Sequence, residues 1–218
     1  MHKIIRFAAV LSLILFGAVP AIAADQSMSR EQALRALTSS DPVARRAGAA
    51  QLGETGRMAD VDALVKALRD RDGETRTIAE AALWDVWGRS GDKDIDALYQ
   101  KGLALMNFGA AGDAIKIFTL IINRKPEFAE GWNKRATIYY SLGEYEKSLR
   151  DCDEVIKRNP QHFGALSGYG LIYVQLDQFE RAIEYFKRAL SVNPNMPGVA
   201  QNIELIEQQL KARRKNFI

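Results

Sequence analysis

Pro126, Pro160 and Pro194 stand 34 residues apart, and small, aromatic and apolar residues recur in phase between them. A period of this length describes a helix–turn–helix unit too small to bury its own apolar face, so successive copies must stack and share one continuous core. With a proline near the end of each unit, the copies are residues 95–128, 129–162 and 163–196. Read in columns, the eighth position holds Gly102, Ala136 and Gly170, and the twentieth holds Ala114, Ser148 and Ala182, small residues that let paired helices approach closely. Leu105, Tyr139 and Tyr173 at the eleventh position, Phe118, Cys152 and Phe186 at the twenty-fourth, and Ile121, Val155 and Ala189 at the twenty-seventh fill the space between. The expected architecture is an all-α, right-handed helical-repeat solenoid, a shape whose curvature exposes a long concave surface.

The layout resembles the tetratricopeptide repeat, with Trp132 in that family's tryptophan column and the prolines in its closing column. The first copy departs most. Its segment Phe108-Gly-Ala-Ala-Gly112 has no aromatic residue where Tyr145 and Phe179 sit in the next two, so its inter-helix turn is expected to be looser. Asp177 replaces the turn glycine seen as Gly109 and Gly143, at a position that calls for a left-handed backbone.

The segment before these copies has its own echo. Leu37-Thr-Ser-Ser-Asp41-Pro-Val-Ala-Arg45 returns 31 residues later as Leu68-Arg-Asp-Arg-Asp72-Gly-Glu-Thr-Arg76. Asp41 and Asp72 each read as the N-cap of an alanine-rich helix, and Asp72 with Arg76 has the spacing of a surface charge pair. Residues 25–93 thus resemble short bacterial HEAT-like repeats, which implies helical pairs with a scaffolding role. Trp84 and Trp87 are expected to seal the junction, and the short connection after them argues for one continuous superhelix. Residues 94–196 hold the three tetratricopeptide-like units. In 197–218 the spacing of Val199, Ile203, Ile206 and Leu210 predicts an amphipathic capping helix, ending in the basic tail Arg213-Arg214-Lys215.

Residues 1–23 carry Lys3 and Arg6, an apolar run from Phe7 to Val19 and the small-residue site Ala21-Ile22-Ala23. This reads as a signal peptide cleaved near Ala23, with an uncleaved anchor as the alternative. The expected location is therefore outside the cytoplasmic membrane, most readily a bacterial periplasm, with no membrane span after cleavage. Of 30 Lys and Arg against 27 Asp and Glu, two cations leave with that segment, so the remainder is nearly neutral and gives no argument for nucleic acid. Cys152 is the only cysteine and occupies a phenylalanine column, where a buried thiol is expected. His162 is the only histidine beyond residue 23 and falls at a repeat junction, read as a surface or junction residue. No catalytic residues, metal site or cofactor are indicated.

The tetratricopeptide resemblance implies that the first helix of each unit lines the concave side. Its groove columns are Tyr99, Leu103, Met106 and Asn107; Asn133, Thr137, Tyr140 and Ser141; and Ser167, Leu171, Val174 and Gln175, with Asp96, Glu130 and Gly164 at the second position. None of the twelve is Lys or Arg, unlike relatives that clamp an acidic carboxylate. The expected function is a non-enzymatic scaffold or adaptor binding a protein or peptide segment of an envelope partner. An accessory subunit of an envelope or cell-wall enzyme and a self-associating structural protein are the alternatives, and the oligomeric state is left open.

Overall fold

Each periodic unit becomes an antiparallel helix pair because its turn contains a residue that accepts a left-handed backbone. A computed structural model describes residues 28–215, so the expected signal peptide lies outside the described residues. The pairs are α5 (Lys93–Asn107) with α6 (Ala111–Arg124), α7 (Ala129–Ser141) with α8 (Tyr145–Arg158), and α9 (Phe163–Gln175) with α10 (Phe179–Val192). Gly109, Gly143 and Asp177 have φ of 73°, 74° and 56° in the three turns. The amide after each bonds back five residues, Ala110 to Leu105, Glu144 to Tyr139 and Gln178 to Tyr173, at 2.9, 2.9 and 2.8 Å. This is a Schellman closure that satisfies the terminal carbonyls of the first helix. The first turn is as tight as the others, against the expectation of looseness. The backbone motif alone closes it, and Phe108 is left 86 % exposed.

Packing follows the columns. A Cβ placed on Gly102 would lie 2.6 Å from Cζ of Phe118, and one on Gly170 would meet the ring of Phe186 as closely. The eighth-position glycines are therefore required by the phenylalanines above them. Unit two departs in both columns at once, with Ala136 under the smaller Cys152. Trp132 fastens the proline turn, its indole N–H donating to the Pro126 carbonyl at 2.9 Å while Arg135 and Arg158 stack on the ring. The last helix, α11 (Pro197–Lys215), buries Val199, Ile203 and Ile206 against the end of the array, as its spacing predicts.

The first segment forms α1 (Arg30–Ala36), α2 (Pro42–Thr55), α3 (Val61–Ala67) and α4 (Gly73–Trp87). Asp41 and Asp72 cap α2 and α4 by accepting the Val43 and Thr75 amides. Asp72 forms its ion pair with Arg46, at 2.7 Å, and not with Arg76 as its spacing suggested. Arg45 reaches across to Asp70 in the next inter-helix loop through two bonds of 2.7 and 2.8 Å. Arg76, its counterpart one period on, has no further copy to reach and bonds Asn195 Oδ1 at 3.0 Å, in the turn that closes unit three.

That bond belongs to a seam. Asn195 donates to the Leu68 carbonyl at 2.7 Å, and Arg69 to the carbonyls of Ser191 and Val192 at 2.5 and 3.0 Å. Phe163, Val192 and Met196 join the core of α1–α4, whereas the core of unit one, centred on Phe118 and Ile121, takes no residue from that segment. The expectation of one superhelix running straight from α4 into α5 is thus corrected. The segment folds back and seats on the turns that follow units two and three, because those turns offer the carbonyls, amide and apolar side chains that a next repeat would have supplied.

Candidate functional site

Trp84 and Trp87 do seal a junction, against units two and three. Trp87 stacks on His162 with ring centroids 4.4 Å apart, and the edge of Trp84 packs on Phe163 at 5.3 Å. Gly164 is needed here, since a Cβ on it would lie 2.5 Å from Cη2 of Trp84. His162 is wholly buried, a junction residue and not a surface one. Its Nδ1 accepts the Ala165 amide at 3.0 Å and caps α9, so Nε2 carries the proton that it donates to Glu130 Oε1 at 2.5 Å. Glu130 is the hub of this junction. It also accepts from the Tyr99 hydroxyl at 3.0 Å and from Asn133 Nδ2 at 3.0 and 3.2 Å, with Lys134 Nζ at 3.1 Å. Burial opposes its ionisation, but the hydrogen bond from His162, the Lys134 charge and the Asn133 amide hold the carboxyl down at about 2. Burial first, and then Glu130, push the Tyr99 phenol well above its ordinary range.

Three cavities are lined by residues of the expected groove columns. Asn133, Thr137, Tyr140, Ser167 and Leu171 line one of ≈ 200 Å³ between α7 and α9, floored by Ala136, Ser148 and Cys152. Met106, Thr137 and Ser141 line a second of ≈ 360 Å³ with Leu142, and Thr137 belongs to both. None of the side chains lining these two is charged. Tyr99 and Leu103 face a third of ≈ 450 Å³, walled by Trp84, Asp85 and Lys134. Nine of the twelve groove residues thus line these three cavities, of which the first two share Thr137 and the third shares no lining residue with either. Asn107, Val174 and Gln175 lie outside them, with Gln175 accepting from the Tyr145 hydroxyl at 3.4 Å. Tyr99 and Asn133 also serve the Glu130 hub, so their polar groups are already committed.

The first cavity has a cause that can be read in the columns. Phenylalanine at the twenty-fourth position fills the space between paired helices in units one and three, and Cys152 leaves part of it open in unit two. Burial, followed by the nearby charges of Asp151 and Asp153, pushes the Cys152 thiol up to about 12, so it serves as a small apolar wall. Glu130 was the functional residue least visible beforehand. Its signal was only that an acid falls two residues before a tryptophan in a column otherwise held by Asp96 and Gly164. Among the described residues no group of three or more His, Cys, Asp or Glu is placed to hold a metal, and no helix is long and apolar enough to cross a membrane.

Comparison with known proteins agrees with the repeat assignment. The family described as tetratricopeptide repeat matches residues 129–162 and 165–196. A TPR repeat-containing protein of Rhizobium etli is 32% identical over 97 residues, which are 44% of this chain and 48% of that protein, so the match spans about half of the relative. Among solved structures, the first TPR of Spaghetti (RPAP3) bound to an HSP90 peptide has a TM-score of 0.53 at 24% identity, covering 55% of this chain and 94% of that one. MamA from Desulfovibrio magneticus has a TM-score of 0.51 at 22% identity, covering 77% and 88%. At these identities the likeness shows the fold.

Proposed function

Since the array is built of tetratricopeptide repeats, we propose that the chain is a non-enzymatic interaction scaffold of the bacterial cell envelope that holds an uncharged stretch of a partner protein in its concave groove. The observation that carries this reading is the pair of uncharged hollows joined at Thr137. An extended segment would place apolar side chains into them and spend its backbone groups on the hydroxyl groups of Ser141 and Ser167. Binding of this kind depends little on salt, because no charge pair is screened. The solved Spaghetti TPR is bound to an HSP90 peptide, which supports a peptide-binding reading of this fold. Here the groove columns lack cations, and the reading is of a partner without a recognised acidic terminus. Export rests on residues 1–23 and on the composition of that segment.

The test is a crosslinked pull-down from envelope extract with protein starting after residue 23. Wild type is compared with Thr137→Arg, which places a long cation where the two hollows meet and leaves the Glu130 hub intact. Thr137 is exposed, so the variant should keep its unfolding midpoint. Specific partners lost with the variant would support groove binding. The same partners retained would move the binding face elsewhere. Fractionation of cells expressing the full chain, with and without residues 1–23, tests the location.

A further inference from the structure

The edge where the inter-helix turns lie carries an unfilled hollow and an unhoused ring side by side. The hollow is the ≈ 360 Å³ cavity between the turn of unit one and the end of α7, with Met106, Gly109 and Ala111 on one side and Thr137, Ser141 and Leu142 on the other. Phe108 stands between Met106 and Gly109 in sequence but does not line the cavity. At 86 % exposed it is the barest large apolar side chain of the described residues.

A lone exposed apolar side chain is ordinary on a protein surface. The columns show why this one differs. Leu142 is the fourteenth residue of unit two, and it borders the hollow together with Met106, Gly109 and Ala111 of the turn before it. Leu176, the fourteenth of unit three, is half-buried and packs in the core of that unit. Phe108 is the fourteenth of unit one and has no preceding turn to meet, because α1–α4 is seated on the turns after units two and three. The hollow is thus the kind of place in which a side chain of this column lies. It also has the room, since an apolar cavity of about 150 Å³ already accepts benzene.

We infer that two copies of this chain associate about a two-fold axis at this edge, the Phe108 ring of each entering the hollow of the other. Ring and hollow belong to one patch, so the patch is complementary to itself, as an isologous contact requires. A two-fold axis also sets groups near their own copies, where a charge would face a like charge. The hollow has no charged lining, and Phe108 is flanked by Asn107 and Gly109. A buried aromatic side chain removes about 150–250 Å² from water. Two rings and their walls therefore make a contact below about 1,200 Å², the range of transient complexes. Dissociation constants of about 10–500 μM are expected for an interface of this size. The hollow is one of the two assigned to the partner segment, so dimer and partner compete for it. The association itself needs no partner, and either reading can fail without the other.

The test is sedimentation equilibrium of the full chain from about 5 μM to about 1 mM. It is repeated on protein starting after residue 23, so that the apolar run from Phe7 to Val19 cannot be the cause. Mass should rise from monomer to dimer and stop there in both. Phe108→Ser removes the ring and Ser141→Arg blocks the hollow. Both positions are exposed, so both variants should keep the unfolding midpoint, and each should weaken association tenfold or more. A complementary mixture checks the contact itself. Phe108→Ser labelled in its methionine methyls keeps a hollow, and unlabelled Ser141→Arg keeps a ring. Adding the second to the first should shift the Met106 methyl signal through the ring current of Phe108, and an unlabelled variant carrying both substitutions should leave it in place. Met106→Leu identifies the signal. Wild type that stays monomeric to about 1 mM would overturn the inference and leave the hollow to a foreign segment. Association that neither variant weakens, mass that climbs past the dimer, association only with residues 1–23 attached, or a Met106 signal unmoved in the mixture would each overturn it as well.

Discussion

Ala136 and Cys152 make up the one unit whose two size-determining columns change together, and restoring the pattern of its neighbours as Ala136→Gly with Cys152→Phe tests why the groove has a hollow. Alone, Ala136→Gly gives up about 1 kcal/mol of helix propensity and about 0.8 kcal/mol of methyl burial, so roughly 2 kcal/mol is lost. Cys152→Phe alone would press its ring on the Ala136 methyl, because in unit one the ring stands only 2.6 Å from where such a methyl would be. Overpacking of this kind costs about 1–3 kcal/mol. Independent effects would therefore sum to about 3–5 kcal/mol. In the double variant the ring lies over a glycine, as Phe118 lies over Gly102, and the larger side chain buries more apolar surface. The expected net loss is under about 1 kcal/mol, a coupling of about 2–4 kcal/mol in a urea-unfolding double-mutant cycle. The same double variant closes the ≈ 200 Å³ hollow lined by Thr137 and Leu171, so groove partners should be lost from a protein that is still stable. Additivity to within about 0.5 kcal/mol would refute the column argument.

The junction with α1–α4 gives a second test. Gly164→Ala should displace Trp84 and speed hydrogen exchange in α4, at a cost of about 1–3 kcal/mol. Gly168→Ala, one turn on and 4.0 Å from its nearest neighbour, Cys152 Sγ, should be neutral or stabilising by up to about 1 kcal/mol. The folded-state pKa of Glu130 lies below its ordinary 4.5, so the stability it contributes is present above pH 4.5 and is lost as pH falls towards about 2. The wild-type urea midpoint should therefore drop across that window, by up to roughly 3 kcal/mol of stability, more steeply than that of Glu130→Gln. Cys152 should resist iodoacetamide at pH 8 in the folded protein and react once urea unfolds it, because burial holds the thiol protonated. Rapid labelling of the native protein would contradict that placement.

By itself the sequence determined the helix pairs, the turns and the core columns, because these depend on residues a few positions apart. The 34-residue period, the left-handed turn residues Gly109, Gly143 and Asp177, and the caps Asp41 and Asp72 all express local backbone preferences. The hollow under Thr137 is not legible in the sequence, where Cys152 reads as filling its column, and only the packed structure shows the space it leaves open. The tertiary structure alone decided where α1–α4 would sit. Arg76 has the same local sequence role as Arg45, yet its partner is Asn195, 119 residues away. No periodicity specifies such a pairing, since it depends on the curvature accumulated over three units. The same closure buried Glu130 with His162 and brought the two tryptophans onto units two and three. Repeats encode contacts with their neighbours in sequence, and a contact between the two ends of an array follows from the summed geometry of everything between them.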